Sequence, residues 1–274
     1  LEYFNNDELA ANVWLTKYGL KNTKGEFVEK TPDDMHIRLA NEFARMEKSF
    51  GGDSTLSQDE IYNLLKDFKY IVPQGSPMMG IGNDYVNVSL CGVGLDISRL
   101  RPEGTPVNNS AGTTTGAWSF ADFYSYVCRM IGQNGRRGAL MITMDIKHPD
   151  IQKFVTMKND LTKVTGANVS VKISDEFMHA VEGDQDFELC FPVDSKDPKY
   201  KTQVKARELW DLIVDSATKT AEPGLMMWDN IINNLPAHCY KDQGFETLTT
   251  NPCGEIPLSA YDSCRLISIN LKNF

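Results

Sequence analysis

The residues best suited to chemistry in this sequence lie in one short segment, Asn251-Pro252-Cys253-Gly254-Glu255. Proline and glycine at these positions do not suit a regular helix or a central strand, so the segment is predicted to be a tight loop. Such a loop presents an amide, a thiol and a carboxylate close together. A neighbouring carboxylate disfavours a thiolate, and this argues against a papain-type protease, whose cysteine needs a nearby histidine.

Two interpretations of this loop remain open on residue types alone. In the first, the sulfur of Cys253 takes up a hydrogen atom while Glu255 handles a proton. In the second, the segment is a structural proline-glycine turn with an incidental buried thiol.

The composition narrows the class of protein. The chain has 274 residues with 41% hydrophobic and 24% charged residues, which is typical of soluble globular proteins. Its net charge of −9 argues against nucleic-acid binding, which rests on clustered Lys and Arg.

No apolar run is long enough to span a bilayer, and no leader peptide is recognised. Six scattered cysteines without a CxxC pattern predict neither a disulfide framework nor a metal site, and we expect a cytoplasmic protein.

Helix signals dominate residues 1–70. Thr31 followed by Pro32 and two acidic residues predicts a helix start. The Thr31 hydroxyl suits the N-cap, proline suits the first helical position, and the acidic residues suit the positive end of the helix dipole. Ser57 with Glu60 predicts a capping box. Further along, Ser119 is predicted to cap another helix.

From residue 71 onward, short apolar runs alternate with capped helices. Strand candidates lie at 139–144, 169–173, 187–191, 225–228 and 265–271, and a long helix is predicted at about 204–220. This alternation predicts an α/β architecture with largely parallel strands.

The loop and several other segments, in matching order, resemble the catalytic (large) subunits of ribonucleotide reductases. The resemblance runs from Tyr3 to Leu271 and is carried by segments 70–78, 92–102, 135–139, 148–151, 160–168, 250–256 and 263–271. It implies the family's ten-stranded β/α barrel. This chain would supply a helical N-terminal region (1–70) and about the first half of the barrel (71–274), ending just after the finger loop.

The resemblance also implies roles for individual residues. Cys253 corresponds to the transient thiyl radical that abstracts the 3′-hydrogen of the ribose, and Glu255 to the general base at the 3′-hydroxyl. Asn251 corresponds to a residue that hydrogen-bonds the substrate. Cys264 corresponds to one of two thiols that supply the reducing electrons. The implied substrate-binding residues are Ser76, Pro77, Asn251 and Gly254.

Two further loops resemble the family's regulatory loops. The first (106–114) precedes a helix whose entry N–H groups can bind an effector's phosphates, although a plain surface loop is an alternative. The second (159–168) resembles the loop that relays effector identity to base choice, and Gly166 is expected to act as its hinge. A substrate, structural or ion-paired role stays open for Arg136 and Arg137. The implied effector residues are Asn108, Asn109, Ser110, Thr113, Lys163, Thr165, Gly166 and Asn168.

The implied reaction is reduction of ribonucleotides, expected to be diphosphates, to 2′-deoxyribonucleotides. Adenosylcobalamin, bound mostly outside this segment, is the expected radical source, with a separate metal-bearing subunit as the alternative. Expected partners are deoxynucleotide or ATP effectors, a thioredoxin- or glutaredoxin-type reductant, the rest of the barrel or a complementing chain, and a second copy in a homodimer. The rival hypotheses are a non-catalytic deoxynucleotide-sensing half-barrel and a split fragment active only with a complementing chain.

The sequence departs from the family pattern at Leu90. In the family, the equivalent of Leu90 is followed by Ser-Asn-Cys, which contains the first redox cysteine, and then by some tens of further residues before the Gly-Val-Gly segment. Here Leu90 joins Cys91-Gly92 directly. We therefore expect Cys91 to differ from the first redox cysteine, with a redox role as the alternative. Because the match stops after half a barrel, we expect that these residues do not work alone.

Overall fold

The structure of the protein is a computed structural model. It describes residues 1–51, 55–83, 92–108, 110–131, 138–262, 264 and 267–274, and of Ser76 it describes the backbone alone. The helices are α1 (Glu8–Lys17), α2 (Pro32–Phe50), α3 (Gln58–Leu65), α4 (Gly75–Gly80), α5 (Ala117–Met130), α6 (Ile151–Thr156), α7 (Asp175–Glu182), α8 (Ala206–Thr220) and α9 (Trp228–Asn234). The strands are β1 (Ile71–Pro73), β2 (Val93–Asp96), β3 (Leu140–Asp145), β4 (Asn168–Ile173), β5 (Asp186–Phe191), β6 (Tyr200–Lys205), β7 (Gly224–Met227), β8 (Thr247–Thr250), β9 (Pro257–Ser259) and β10 (Ile267–Ile269).

The chain divides into two compact units. The first contains the described residues of 1–83 together with 267–274. The second contains those of 92–131 and 138–262 together with Cys264. The domain boundary predicted at residue 70 stays a prediction.

The first unit is mainly helical, as predicted. Thr31 and Asp34 form a capping box at the start of α2, and Ser57 and Glu60 form another at the start of α3. The apolar faces of these helices meet in one buried cluster. Its residues are Trp14, Met35, Leu39, Ala40, Ala44, Ile61, Leu65 and Met78. A short antiparallel pair, β1 with β10, completes the unit.

The second unit is an α/β structure around a parallel sheet in the order β2-β3-β4-β7, which confirms the predicted architecture. Strands β3 and β4 are almost wholly buried, as expected for a parallel sheet covered by helices. Their side chains form one core with α5, α6, α7 and α8. Within the described residues the sheet has four strands and does not close, so it corresponds to part of a barrel.

One prediction about local structure was wrong. Helix α5 begins at Ala117 with Gly116 as its N-cap, and Ser119 lies inside the helix. The reason is tertiary, since the Ala117 N–H donates to the carboxylate of Asp150 from another part of the chain. The long helix predicted at about 204–220 is confirmed as α8, which begins at Ala206 because Val204 pairs with β5 in the β5–β6 hairpin.

The described helices include none that is both long and apolar enough to cross a membrane.

Candidate active site

The segment 251–256 forms the tip of a hairpin between β8 and β9. Strand β8 crosses β2 at Gly94, where a Cβ atom would stand 2.0 Å from the carbonyl oxygen of Thr250 and 2.7 Å from Cγ2 of Thr249. Only glycine permits this approach, because any side chain would displace the hairpin. The Gly-Val-Gly segment therefore determines how closely the hairpin approaches the sheet.

A buried polar network lies beneath β8. Lys172 on β4 pairs with Asp96 on β2 at 2.7 Å, and both side chains are largely buried. The Thr143 hydroxyl donates to the same carboxylate at 2.8 Å and lies 3.2 Å from the Thr249 hydroxyl. The network thereby links the parallel sheet to the strand that leads into the loop.

Asn251 organises the loop itself. It is 1% exposed, and its side-chain oxygen accepts a hydrogen bond from the Ile256 N–H at 3.0 Å. Its Nδ2 donates to Oε2 of Glu255 at 2.8 Å and lies 3.6 Å from Sγ of Cys264. One buried amide thus joins the carboxylate and the thiol that the sequence singled out.

Cys253 is exposed in the turn between Pro252 and Gly254. The Gly254 N–H closes the turn on the Asn251 carbonyl at 3.0 Å, and Gly254 has a φ of +88°, which favours glycine. The side-chain amide of Asn168 donates to the Pro252 carbonyl at 2.8 Å. The loop is therefore held on both sides of the exposed thiol.

Cys264 packs against the backbone of Gly92. A Cβ built at Gly92 would stand 2.6 Å from the Cβ of Cys264, and the φ of Gly92 is +89°. Cys91, the neighbour of Gly92 in sequence, lies outside the described residues, as do Asn109, Arg136 and Arg137.

The second loop that was predicted to be regulatory (159–168) is anchored to α5. The N–H groups of Val164 and Gly166 donate to Asp122 and Ser125 on α5 at 2.9 and 2.8 Å. A Cβ at Gly166 would stand 2.7 Å from the Ser125 carbonyl oxygen, so this glycine permits close packing against α5. Its expected role as a hinge stays a prediction. Lys163 remains exposed at the loop surface.

A cavity of about 580 Å³ separates the end of this loop from the hairpin tip. Lys158 at its edge pairs with Glu222 and donates to the Ala167 carbonyl at 2.6 Å. Three implied effector residues (Thr165, Gly166 and Asn168) and the loop proline line this cavity together with two cationic side chains. Its lining includes Thr165, Asn168, Pro252, Arg129 and Lys158.

The first loop that was predicted to be regulatory (106–114) is an exposed turn. Pro106 and Thr113 form an isolated antiparallel bridge, and the Val107 N–H donates to the Gly112 carbonyl at 3.0 Å. Asn108, Ser110 and Thr113 are exposed. The Ala117 N–H at the helix entry is already bonded to Asp150, so it is not available to a phosphate.

The implied phosphate-binding residues Ser76 and Pro77 lie in α4 of the first unit. Arg38 on α2 holds the end of this helix by donating to the carbonyls of Met78, at 2.5 Å, and Ile81. Glu29 pairs with Arg38 at 2.6 Å in a buried contact. The backbone that carries these two residues is therefore anchored from α2.

Sequence reasoning missed Asp96, Lys172 and Thr143 as supports of the site. A signal for one of them was present, since Lys172 lies between Val171 and Ile173 in a predicted strand, and a lysine buried there needs a partner. Its partner could not be identified, because Asp96 lies far away in the sequence.

Comparison with known proteins gives one consistent result. The family model "Ribonucleotide reductase, barrel domain" matches residues 84–274, and "Ribonucleotide reductase, all-alpha domain" matches residues 4–84. A vitamin B12-dependent ribonucleoside-diphosphate reductase of Thermoplasma acidophilum is 37% identical over 212 residues, covering 75% of this chain and 27% of that protein. Its Mycobacterium tuberculosis counterpart is 31% identical over 294 residues, covering 96% and 41% respectively. The chain thus spans well under half the length of these relatives.

Proposed function

The chain belongs to the ribonucleotide reductase large-subunit family, and we propose that the protein reduces ribonucleoside diphosphates to 2′-deoxyribonucleotides. The observation that carries the proposal is the buried amide of Asn251, which joins Glu255 and Cys264 beneath the turn that exposes Cys253. A proline-glycine turn with an incidental thiol has no need of this arrangement.

Each residue has a role in the proposed reaction. Cys253, as a thiyl radical, takes the 3′-hydrogen of the ribose, and Glu255 accepts the proton of the 3′-hydroxyl. Asn251 holds the Glu255 carboxylate at 2.8 Å and orients it toward the substrate. Cys264 and a second thiol supply two electrons and close to a disulfide, while the 2′-oxygen leaves as water.

Adenosylcobalamin is the proposed radical source, in agreement with the names of the two relatives. The exposure of Cys253 at the hairpin tip suits an external generator, because the sulfur can be approached from outside the loop. When bound, this cofactor would supply the radical that removes the hydrogen atom of the Cys253 thiol. A separate metal-bearing subunit is the alternative source.

The partners proposed for this chain are those that the ribonucleotide reductase family implies. Deoxynucleotide or ATP effectors are assigned to the two regulatory loops, and a thioredoxin- or glutaredoxin-type protein to the reduction of Cys264, in the cytoplasm. The rest of the barrel, on this or a complementing chain, would cover β7, where Leu225 and Met227 are 41% and 42% exposed.

The first test is turnover by the complete enzyme with adenosylcobalamin, a dithiol reductant and ribonucleoside diphosphates. We expect Cys253→Ser to abolish deoxynucleotide formation, because serine cannot carry the thiyl radical, while effector binding is retained. Cys239→Ser is the matched control, since Cys239 is exposed and its thiol donates to the Pro236 carbonyl of the same turn. It should keep wild-type activity.

Absence of turnover in the wild type, with every partner supplied and effectors still binding, would contradict the proposal. That result would favour the rival hypothesis of a non-catalytic deoxynucleotide sensor.

A further inference from the structure

The motif His148-Pro149-Asp150 has no role in the proposed chemistry, yet Asp150 is buried. Its Oδ1 and Oδ2 accept the Glu103 N–H at 3.0 and 3.2 Å. Its Oδ2 also accepts the Ala117 N–H at 2.8 Å. Hydrogen bonds to a buried carboxylate are stronger than bonds between neutral groups, so this contact is a firm link between two distant backbone positions.

His148 keeps Asp150 in place. The Asp150 N–H donates to Nδ1 of His148 at 3.0 Å, and Nε2 of His148 lies 2.9 Å from the Leu100 carbonyl oxygen. Burial lowers the pKa of His148, which keeps the ring neutral with its proton on Nε2. The carboxylate is therefore presented by a rigid turn.

Glu103 and Ala117 flank the segment 104–116, which contains the first regulatory loop. Inside this segment the Gly104 N–H donates to the Thr114 carbonyl at 3.0 Å. Gly116 has a φ of +94°, and a Cβ there would stand 2.6 Å from Oδ2 of Asp150. The two ends of the loop thus converge on a single carboxylate, and a glycine makes the approach possible.

A second contact reinforces the same junction from outside. The Glu103 side chain accepts a hydrogen bond from Nε1 of Trp118 at 3.0 Å and pairs with Lys153. Lys153 also lies 5.8 Å from the centre of the Trp118 ring. The two ends of the loop are therefore joined by two contacts, one through the Asp150 carboxylate and one between Glu103 and Trp118.

We propose that Asp150 is a positioning residue for effector control. By joining the Glu103 and Ala117 N–H groups, it holds the first loop in the shape that binds a nucleotide. The inference rests on the proposed function, because it assigns to Asp150 the control of a loop that binds effectors. Asp150 itself does not contact the effector, since its carboxylate is bonded to backbone N–H groups.

The test is Asp150→Asn in the complete enzyme, a change of nearly equal size that removes the charge and one acceptor. We expect the apparent Kd for a deoxynucleoside triphosphate to rise about tenfold, because fewer molecules hold the loop in its binding shape. Hydrogen exchange of residues 104–116 should become faster. Substrate binding without effector should stay within twofold of the wild type.

Asp7→Asn is the matched control, since Asp7 caps α1 by accepting the Ala10 N–H at 2.9 Å in the other unit. It should leave the effector Kd unchanged. Gly116→Ala is a second variant that disturbs the same junction while keeping the charge of Asp150, because its Cβ would crowd Oδ2 of that residue. It should shift Kd and exchange in the same direction as Asp150→Asn.

Unchanged Kd and exchange in Asp150→Asn would overturn the inference. Tighter effector binding would also overturn it, because it would mean that the carboxylate competes with the effector's phosphates for the helix entry. A wild type that binds no deoxynucleotide would refute the effector role of the first loop. Unchanged hydrogen exchange of this loop in Asp150→Asn would separately refute the positioning role of Asp150.

Discussion

At the scale of single residues, Asn251 is the centre of the site. Its oxygen closes the turn through the Ile256 N–H, and its Nδ2 contacts the carboxylate of Glu255 and the sulfur of Cys264. The sequence assigned Asn251 to substrate binding by resemblance. Its contacts support a further role, because the same side chain sets the geometry of the proposed base.

Asn251→Ala should therefore reduce turnover by roughly a hundredfold, the lower range for loss of a positioned general base. Deoxynucleotide formation by the complete enzyme measures the effect, and a thermal melt shows whether the fold survives. Asn234→Ala is the control, because Asn234 is exposed and its side chain donates to the Asn230 carbonyl within α9. Equal turnover in Asn251→Ala and the control would contradict the role.

At the scale of elements, hairpin β8–β9 is placed by what lies beneath it. Gly94 lets β8 approach β2, and the buried pair of Asp96 and Lys172 supports the hairpin through Thr143. A buried ion pair contributes little net stability compared with apolar residues, but removing one partner leaves an uncompensated buried charge. We therefore expect the intact pair to fix the position of the hairpin and to add little to the free energy of unfolding.

Asp96→Asn should lower the free energy of unfolding by about 3 kcal/mol, because Lys172 stays buried without its counter-charge. The double variant Asp96→Asn with Lys172→Met should be less destabilised than the single one. Denaturant unfolding measures both. Asp215→Asn is the control, since Asp215 pairs with Lys219 on the exposed face of α8 and should change stability by less than about 0.5 kcal/mol. A double variant less stable than Asp96→Asn would refute this account.

At the scale of the whole molecule, α5 presents an exposed apolar face beside both regulatory loops. Phe123, Tyr126 and Met130 on this face are 59%, 54% and 67% exposed, and they recur at helical spacing. A second copy of the chain is the proposed partner for this face. The second loop is anchored to the same helix through Asp122 and Ser125.

Phe123→Glu should shift the complete enzyme from dimer to monomer, because it places a charge in an apolar interface. Sedimentation velocity measures the change. Glu182→Lys on α7 is the control, since it changes a charge at an exposed position outside this face. A wild type that sediments as a monomer, or a variant that stays dimeric, would contradict the proposal.

The sequence by itself determined the features that depend on neighbouring residues. The helix start at Thr31 and the capping box at Ser57 were predictable because the residues that form each of them lie within three positions of each other. The α/β order was predictable because buried strands and amphipathic helices have different periods. The chemistry of the loop could be read from residue types together with a family resemblance.

Only the tertiary structure decided which distant groups meet. The start of α5 depends on Asp150, which is 33 residues away, so no local pattern could place it. The pairing of Asp96 with Lys172 and the close packing at Gly166 likewise depend on neighbours from other elements. Local hydrogen bonds are encoded by short spacing, whereas contacts between elements exist only once the sheet and its helices have packed.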